Sequence, residues 1–249
     1  MLRFPDPEYS ALQLLTRTQQ NTPPVDLATI ASLWDWLTIE FTEIKHDGYL
    51  IDLGGFGKQI IVSSFSSLPR QRFTIAHEMG HLTLQENEAI FDTSGSLRVE
   101  EPTQNKLIER WCDQFAVALL MPREWIVGDL RRAKITGLID AIVDLPRVYG
   151  VSDIAFRKRV AETTPISTYE IARTTLLEKH IETKYEAKGV KRYSVRKVLD
   201  NLLPKLEASP EPVKVVHKKS NMISVHMSTV NQPNRSVWII CIFPQLSNG

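Results

Sequence analysis

The sequence predicts an α+β protein, with a small antiparallel sheet and two long helices early, a helical stretch in the middle and a small β-rich part at the end. Three observations predict it. Ile39–Ser64 alternates apolar and polar residues between glycine-containing turns. Arg70–Leu84 and Lys106–Pro122 repeat apolar residues at helical spacing. The segments "VKVVHKK", "NMISVHMSTV" and "RSVWIICIF" are rich in β-branched and aromatic residues.

Taken in order, "PPVDLATIASLWDWL" (Pro23–Leu37) opens on prolines with an acidic first turn and places Val25, Ile30, Leu33 and Leu37 at near-helical spacing, which predicts a helix. "IEFTEI", "YLIDL" after Asp47-Gly48, and "KQIIVSS" after "GGFG" predict a β-meander over Ile39–Ser64. Pro69 then fits the first turn of a helix in which Phe73, Ile75, Ala76, Met79, Leu82 and Leu84 point to several sides, as a buried helix requires. "FDTSGSLRVEEPTQN" (Phe91–Asn105) has the composition of a loop over or beside that helix. A second helix follows, with Leu107, Ile108, Trp111, Phe115, Ala118 and Leu119 in phase, and stops at Met121-Pro122. From Arg123 to about Leu206 the pattern predicts further helices, with Ser152 as an N-cap, before the strands of the tail and a turn at "NQPN".

The whole chain bounds the function. Its 249 residues suffice for one large or two small domains, and 43% hydrophobic with 24% charged residues is an ordinary globular composition. No apolar run nears the ~18 residues of a membrane span, and "MLRFPDPEYS" lacks a basic stretch followed by an apolar one, so the expected location is cytoplasmic with no membrane partner. Cys112 and Cys241 stand outside any C-x-x-C spacing and read as reduced thiols. The formal charge of +1 conceals an asymmetry: residues 151–249 carry 16 Lys and Arg against 9 Asp and Glu, leaving −6 for residues 1–150. Solvated helices explain most such basic surplus; attraction to nucleic acid or an acidic partner is the sharper reading.

The chemistry is concentrated in "RQRFTIAHEMGHLTL". Residues four apart on a helix share a face, so His77 and His81 can converge on one ion, with Glu78 beside it. Two imidazoles and an adjacent carboxylate suit zinc-dependent hydrolysis, although an H-E-x-x-H also arises by chance in a core helix. A catalytic zinc takes a third protein ligand. Glu109, 28 residues after His81 and interrupting an otherwise apolar helix, is favoured over Glu86, Glu88, Asp92, Glu100 and Glu101. Asp113, one turn after Glu109, suits an outer acceptor for a ligand imidazole. A donor for the developing oxyanion is also needed, with His46, Tyr49, Arg72 and Tyr149 as candidates.

"PPVDLATIA", "RQRFTIAHEMGHLTL" and "IERWCDQFAVALLMP", in this order and spacing, resemble the ImmA/IrrE family of metallo-endopeptidases, strongly over Pro23–Pro122 and more weakly to about residue 160. The resemblance implies a zincin-like core in residues 1–160 with a helical extension. Residues 161–249 would then form a helical linker and a C-terminal α/β appendage available for regulation. It implies His77, His81 and Glu109 as ligands of one zinc, or of another divalent ion in the cell, Glu78 as the catalytic base, and Asp113 as outer-shell partner. It also implies a helix-turn-helix transcriptional repressor as substrate, whose cleavage derepresses genes of a mobile element or a stress response. Two other readings compete. "LPRVYGVSDIAFRKRV" imitates a helix-turn-helix with basic Arg157, Lys158 and Arg159, as in a DNA-binding or antitoxin-like regulator, though a short helical hairpin gives the same pattern and specific DNA binding by the chain is not expected. A zinc-binding protein without peptidase activity would keep the ligands and have no need of Glu78.

Overall fold

A computed structural model describes residues 4–86, 102–133, 137–174, 180–185, 215–216, 223–232 and 235–244. The chain divides into two compact units, Met1–Trp125 with Pro146–Ser152, and Ile126–Leu145 with Asp153–Gly249.

In the first unit α1 (Pro7–Arg17) starts at Asp6, whose carboxylate accepts from the amides of Glu8 and Tyr9, with Pro7 in the first turn where its missing N–H costs nothing. This helix is not among the expected elements, yet it carries both the cap signature and an apolar repeat, with Ala11, Leu14 and Leu15 buried. The helix expected over Pro23–Leu37 is confined to α2 (Leu27–Ala31), capped by Asp26. Of its other apolar residues, Val25 and Trp34 are buried from flanking loop positions and Leu37 from the strand that follows.

Three strands follow: β1 (Leu37–Thr42), β2 (Gly48–Asp52) and β3 (Lys58–Ser63). The sheet order is β1-β3-β2, with β1 parallel to β3 and β2 antiparallel to it, so the sheet is mixed and the expected antiparallel meander is corrected. The physical reason lies in β3. Ile60, Ile61 and Val62 are all buried, and a strand that is apolar on both faces belongs in the middle of a sheet. The "GGFG" turn does join β2 and β3 as a hairpin, with Leu53 N–H donating to Gly57 O at 2.8 Å.

The helix α3 (Leu68–Gln85), with Pro69 in its first turn, and α4 (Pro102–Leu120) form the centre of the unit. α4 takes in the end of the segment read as a loop; Phe91–Glu101 lie outside the described residues. α3 packs on β2, β3 and α4, while α1 packs on the far part of α4. The contact between α3 and α4 is close because residue 80 is glycine: a Cβ there would lie 3.1 Å from a ring carbon of Phe115 and 3.2 Å from Cα of Cys112. Met79, Leu82, Cys112 and Phe115 fill this interface with no more than 1% exposure, each large side chain contributing roughly 1.5–3 kcal/mol of burial.

Helices α5 (Arg123–Ala133) and α6 (Leu138–Tyr149) run from one unit into the other. α6 ends at Gly150, whose φ of +66° lets Val151 N–H donate back to Pro146 O at 3.0 Å. In the second unit α7 (Asp153–Thr163) follows directly on Ser152 and packs against β4. Strands β4 (Ser167–Thr174), β5 (His180–Tyr185), β6 (Val215–Val216), β7 (Ile223–Gln232) and β8 (Arg235–Pro244) make an antiparallel sheet of order β5-β4-β8-β7-β6. The helical expectation is therefore overturned for Ser167–Thr174 and His180–Tyr185. Tyr169, Ile171 and then Ile181, Thr183, Tyr185 recur at every second position, a period of two that the Leu, Glu and Lys content of the intervening segment obscures. The expected helix at "SVRKVLDNLLPKL" and the "QPN" turn residues Pro233 and Asn234 lie outside the described residues.

Candidate metal centre

Helix α3 carries His77 and His81 on the face turned to α4, one turn apart, and α4 supplies Glu109 to the same point. His77 Nε2 and His81 Nε2 are 3.2 Å apart; Glu109 Oε2 lies 3.2 Å from His77 Nε2 and Oε1 lies 3.4 Å from His81 Nε2. A tetrahedral ion with bonds of about 2.0–2.1 Å requires ligand atoms about 3.3 Å apart, and the two imidazole nitrogens stand at that spacing with one carboxylate oxygen of Glu109 beside each. They are the only three-residue cluster of this kind among the described residues.

The hydrogen bonding around them points the same way. Asp113 Oδ1 lies 3.0 Å from His77 Nδ1, and an ionised carboxylate only accepts, so the ring donates there. With Nδ1 so engaged, the ring turns Nε2 toward the Glu109 carboxylate and His81 Nε2. Burial also depresses the pKa of His81, an effect that Glu109 opposes and His77 reinforces, and a neutral imidazole is the form that binds metal. The donor set thus fits zinc, which the resident side chains would hold through two imidazoles and one carboxylate.

Glu78 leaves the ligand face and turns toward β2, an edge strand, where its carboxylate meets the amide of Leu50. Burial raises its pKa above the ordinary carboxylate range, with Glu109 adding to the shift and His77 and the Leu50 N–H opposing it. A raised carboxylate is a better proton acceptor at neutral pH than an exposed one.

His77, Glu78, Glu109 and Asp113 line a cleft of about 440 Å³ together with Arg70 and Phe73 of α3, and its other wall is Lys45, His46, Asp47 and Gly48. Gly48 permits that wall to close on α3, since a Cβ there would fall 2.7 Å from Thr74 Cγ2 and 2.3 Å from Ile61 O. A larger hollow of about 810 Å³ beside α1, lined by Tyr9, Leu12, Arg17 and Glu86 among others, contains no converging ligand set among the described residues. The cleft is smaller but holds the chemistry.

The structure brings together His77, Glu78, His81, Glu109 and Asp113. Of the rival ligands, Glu86 is turned away and accepts from Trp34 Nε1 at 2.5 Å; Glu88, Asp92, Glu100 and Glu101 lie outside the described residues. Of the oxyanion candidates only His46 lines the cleft. Arg72 donates to Val25 O at 2.7 Å, Tyr149 is wholly buried, and Tyr49 is exposed away from the cleft lining. Sequence reasoning missed Arg70 and Phe73 as cleft residues, although their spacing of seven and four before His77 places them on its helix face.

Two imidazoles and a carboxylate around one point, with a second carboxylate beside them in an open cleft, are a donor set compatible with a metal ion, as in metal-dependent hydrolases. The chain belongs to the ImmA/IrrE family: the IrrE N-terminal-like domain of peptidase family M78 matches residues 37–161, about half of its length. It is 33% identical over 108 residues to the radiation response metalloprotease IrrE of Deinococcus radiodurans, covering 43% of this chain and 32% of that protein. The protein of the same name from Deinococcus deserti is 33% identical over 139 residues, covering 55% of this chain and 47% of that protein. The chain thus spans about a third to a half of the length of these relatives. In fold it is similar to a Mycobacterium tuberculosis transcriptional regulator, with a TM-score of 0.51 at 12% identity over 96% of this chain and 76% of the other. No helix among the described residues is long and apolar enough to cross a membrane.

Proposed function

We propose that this chain is a zinc-dependent endopeptidase of the cytoplasm with a zincin-like core, and that its substrate is a helix-turn-helix transcriptional repressor. The observation that carries the peptidase reading is the convergence of His77 Nε2, His81 Nε2 and the Glu109 carboxylate at 3.2–3.4 Å with Glu78 in the same cleft. Zinc held there supplies an acidified water and polarises the scissile carbonyl. Glu78 accepts the water's proton and passes it to the leaving amine nitrogen, while Asp113 fixes the ring of His77. A protein that only stores zinc has no use for a half-buried carboxylate at Glu78.

The repressor as substrate follows from the family resemblance. The domain division proposed with it assigns residues 1–160 to catalysis and 161–249 to regulation or docking. The regulator reading loses support from α7, where Arg157 and Arg159 are buried and Lys158 is the exposed member of the basic run. The test is incubation of the purified, zinc-loaded chain with the repressor encoded beside its gene and with casein, followed by mass spectrometry. Fragments chiefly from the repressor, abolished by a chelator, are expected; an intact repressor under these conditions sinks the substrate assignment.

A further inference from the structure

Peptide hydrolysis turns the scissile carbonyl oxygen into an oxyanion, and a fixed donor on the cleft wall facing the base lowers that barrier. We propose that His46 is this donor and that Asp47 is the residue that positions it; the proposal rests on the peptidase reading above.

Apart from the proposed ligand His77, four side chains lining the cleft carry donors: Lys45, His46, Arg70 and Thr74. Thr74 is buried beneath Gly48, with its methyl group turned to that glycine. The guanidinium of Arg70 is committed to Asp47 Oδ2 at 2.6 Å and lies over the ring of Phe73 at 5.7 Å. Lys45 offers a strongly hydrated charge on a stem of four rotatable bonds, which is poorly organised in advance of reaction. His46 has two side-chain torsions and carries an N–H in either protonation state.

His46 is exposed, and it is the residue after it that is held. The next residue, Asp47, accepts from Arg70 through one carboxylate oxygen and from Ser66 Oγ through the other at 3.0 Å, and its carbonyl accepts from Ser63 N–H at 2.9 Å. Ser63 ends β3, Ser66 precedes α3 and Arg70 lies in its first turns, so the clamp ties Asp47, the neighbour of His46, to the helix that carries His77 and Glu78. His46 lends a hydrogen bond that strengthens as charge develops; its proton stays on the ring and it forms no covalent bond.

The test uses the full zinc-loaded chain with two measurements. In turnover of the repressor, His46→Ala should lower kcat by roughly 10²–10³-fold with KM little changed, and His46→Gln, which keeps a donor, should recover part of it. Asp47→Ala should lower kcat in the same sense but less, and Asp47→Asn, which keeps an acceptor oxygen, less again. In calorimetry, N-phosphoryl-leucyl-tryptophan, whose phosphoryl oxygens mimic the tetrahedral charge, should bind His46→Ala at least ~10-fold more weakly than wild type, while acetohydroxamate and zinc content stay unchanged. Equal binding of the phosphoryl probe to wild type and His46→Ala overturns the proposal, as does a loss confined to KM. A wild type that binds both probes and cleaves nothing sinks the repressor reading instead, and the phosphoryl comparison still decides the role of His46.

Discussion

Asp113 grips His77 by its outer nitrogen, Oδ1 lying 3.0 Å from Nδ1, and so decides which lone pair the imidazole turns toward His81 and Glu109. Without that partner the ring can rotate and change tautomer while all three proposed ligands remain. Asp113→Ala should therefore keep the fold and lose zinc affinity by roughly 10–100-fold, read by competition with a chromophoric chelator. His81→Ala removes a ligand outright and should purify with little metal by elemental analysis. Undiminished affinity in the first variant, or undiminished metal in the second, would remove the residue from its role.

Glu78 differs from the ligands in what its loss should do. Glu78→Gln keeps the shape of the side chain and can still accept from the Leu50 amide, but cannot take up the proton. Because burial raises the Glu78 pKa, its ionised form is strained at neutral pH, and the neutral amide should leave thermal stability unchanged or raised. Zinc content equal to wild type, an undiminished Tm and no cleavage are expected. Cleavage at the wild-type rate would take the proton transfer away from this residue.

Gly80 sets the distance between the two ligand-bearing helices. Alanine in its place gains about 1 kcal/mol of helix propensity but drives a methyl group to 3.2 Å from the Cα of Cys112, an atom of the backbone that yields little. Overpacking of this kind costs about 1–3 kcal/mol, so the balance falls to net destabilisation. Gly80→Ala should lower both Tm and zinc affinity, since separating α3 from α4 moves Glu109 away from the histidines. A variant with higher Tm and unchanged affinity would show that the helices have room to spare.

The site was legible because its signal is local: a helix periodicity of four brings His77 to His81, and one long apolar helix with two carboxylates on one face brings Glu109 and Asp113 into reach. The sheet was legible as strands but not as topology. Pairing of β1 with β3 is a contact between segments 21 residues apart at their nearest register, settled by the burial of Ile60, Ile61 and Val62 rather than by the turn at Asp47-Gly48. β4 and β5 differ from the helix that their residues predict because helix-forming residues in the sequence between them outweigh a short alternation, and β4 is held by partners in β5 and β8 that no local window contains. His46 could not be separated from Tyr49, Arg72 and Tyr149 by residue type; only the course of the backbone past Asp47 does so.

Gly150 offers a test of a second close approach in the same unit. Its φ of +66° is strained for any L side chain, and an added Cβ would lie 2.8 Å from Arg72 Nε. Arg72 cannot simply swing away: it is half-buried on α3 and donates to Val25 O at 2.7 Å, while burial disfavours its charge and nearby Asp26 offsets that in part. Gly150→Ala should cost about 1–3 kcal/mol in chemical denaturation. Zinc stoichiometry should be unchanged, because neither residue touches the ligands. A loss below a few tenths of a kcal/mol would mean that the turn adapts and that Arg72 is not fixed by it.

The last prediction separates the peptidase from the regulator. A recognition helix needs several side chains free to reach base edges and phosphates. On α7 Arg157 and Arg159 are 3% and 5% exposed, which leaves Lys158 to face solvent from the basic run, and a single phosphate contact supplies little of the salt-dependent affinity that duplex binding requires. The chain alone should give no specific complex with operator DNA in a mobility-shift assay, and Lys158→Ala should leave any weak, salt-sensitive association nearly unchanged. Arg157→Ala and Arg159→Ala should act on stability instead, lowering Tm because each removes a buried side chain and strands its neighbours. A sequence-specific shift that survives raised salt and is abolished by Lys158→Ala, together with an intact repressor in the cleavage assay, would establish α7 as a DNA reader and reverse the assignment.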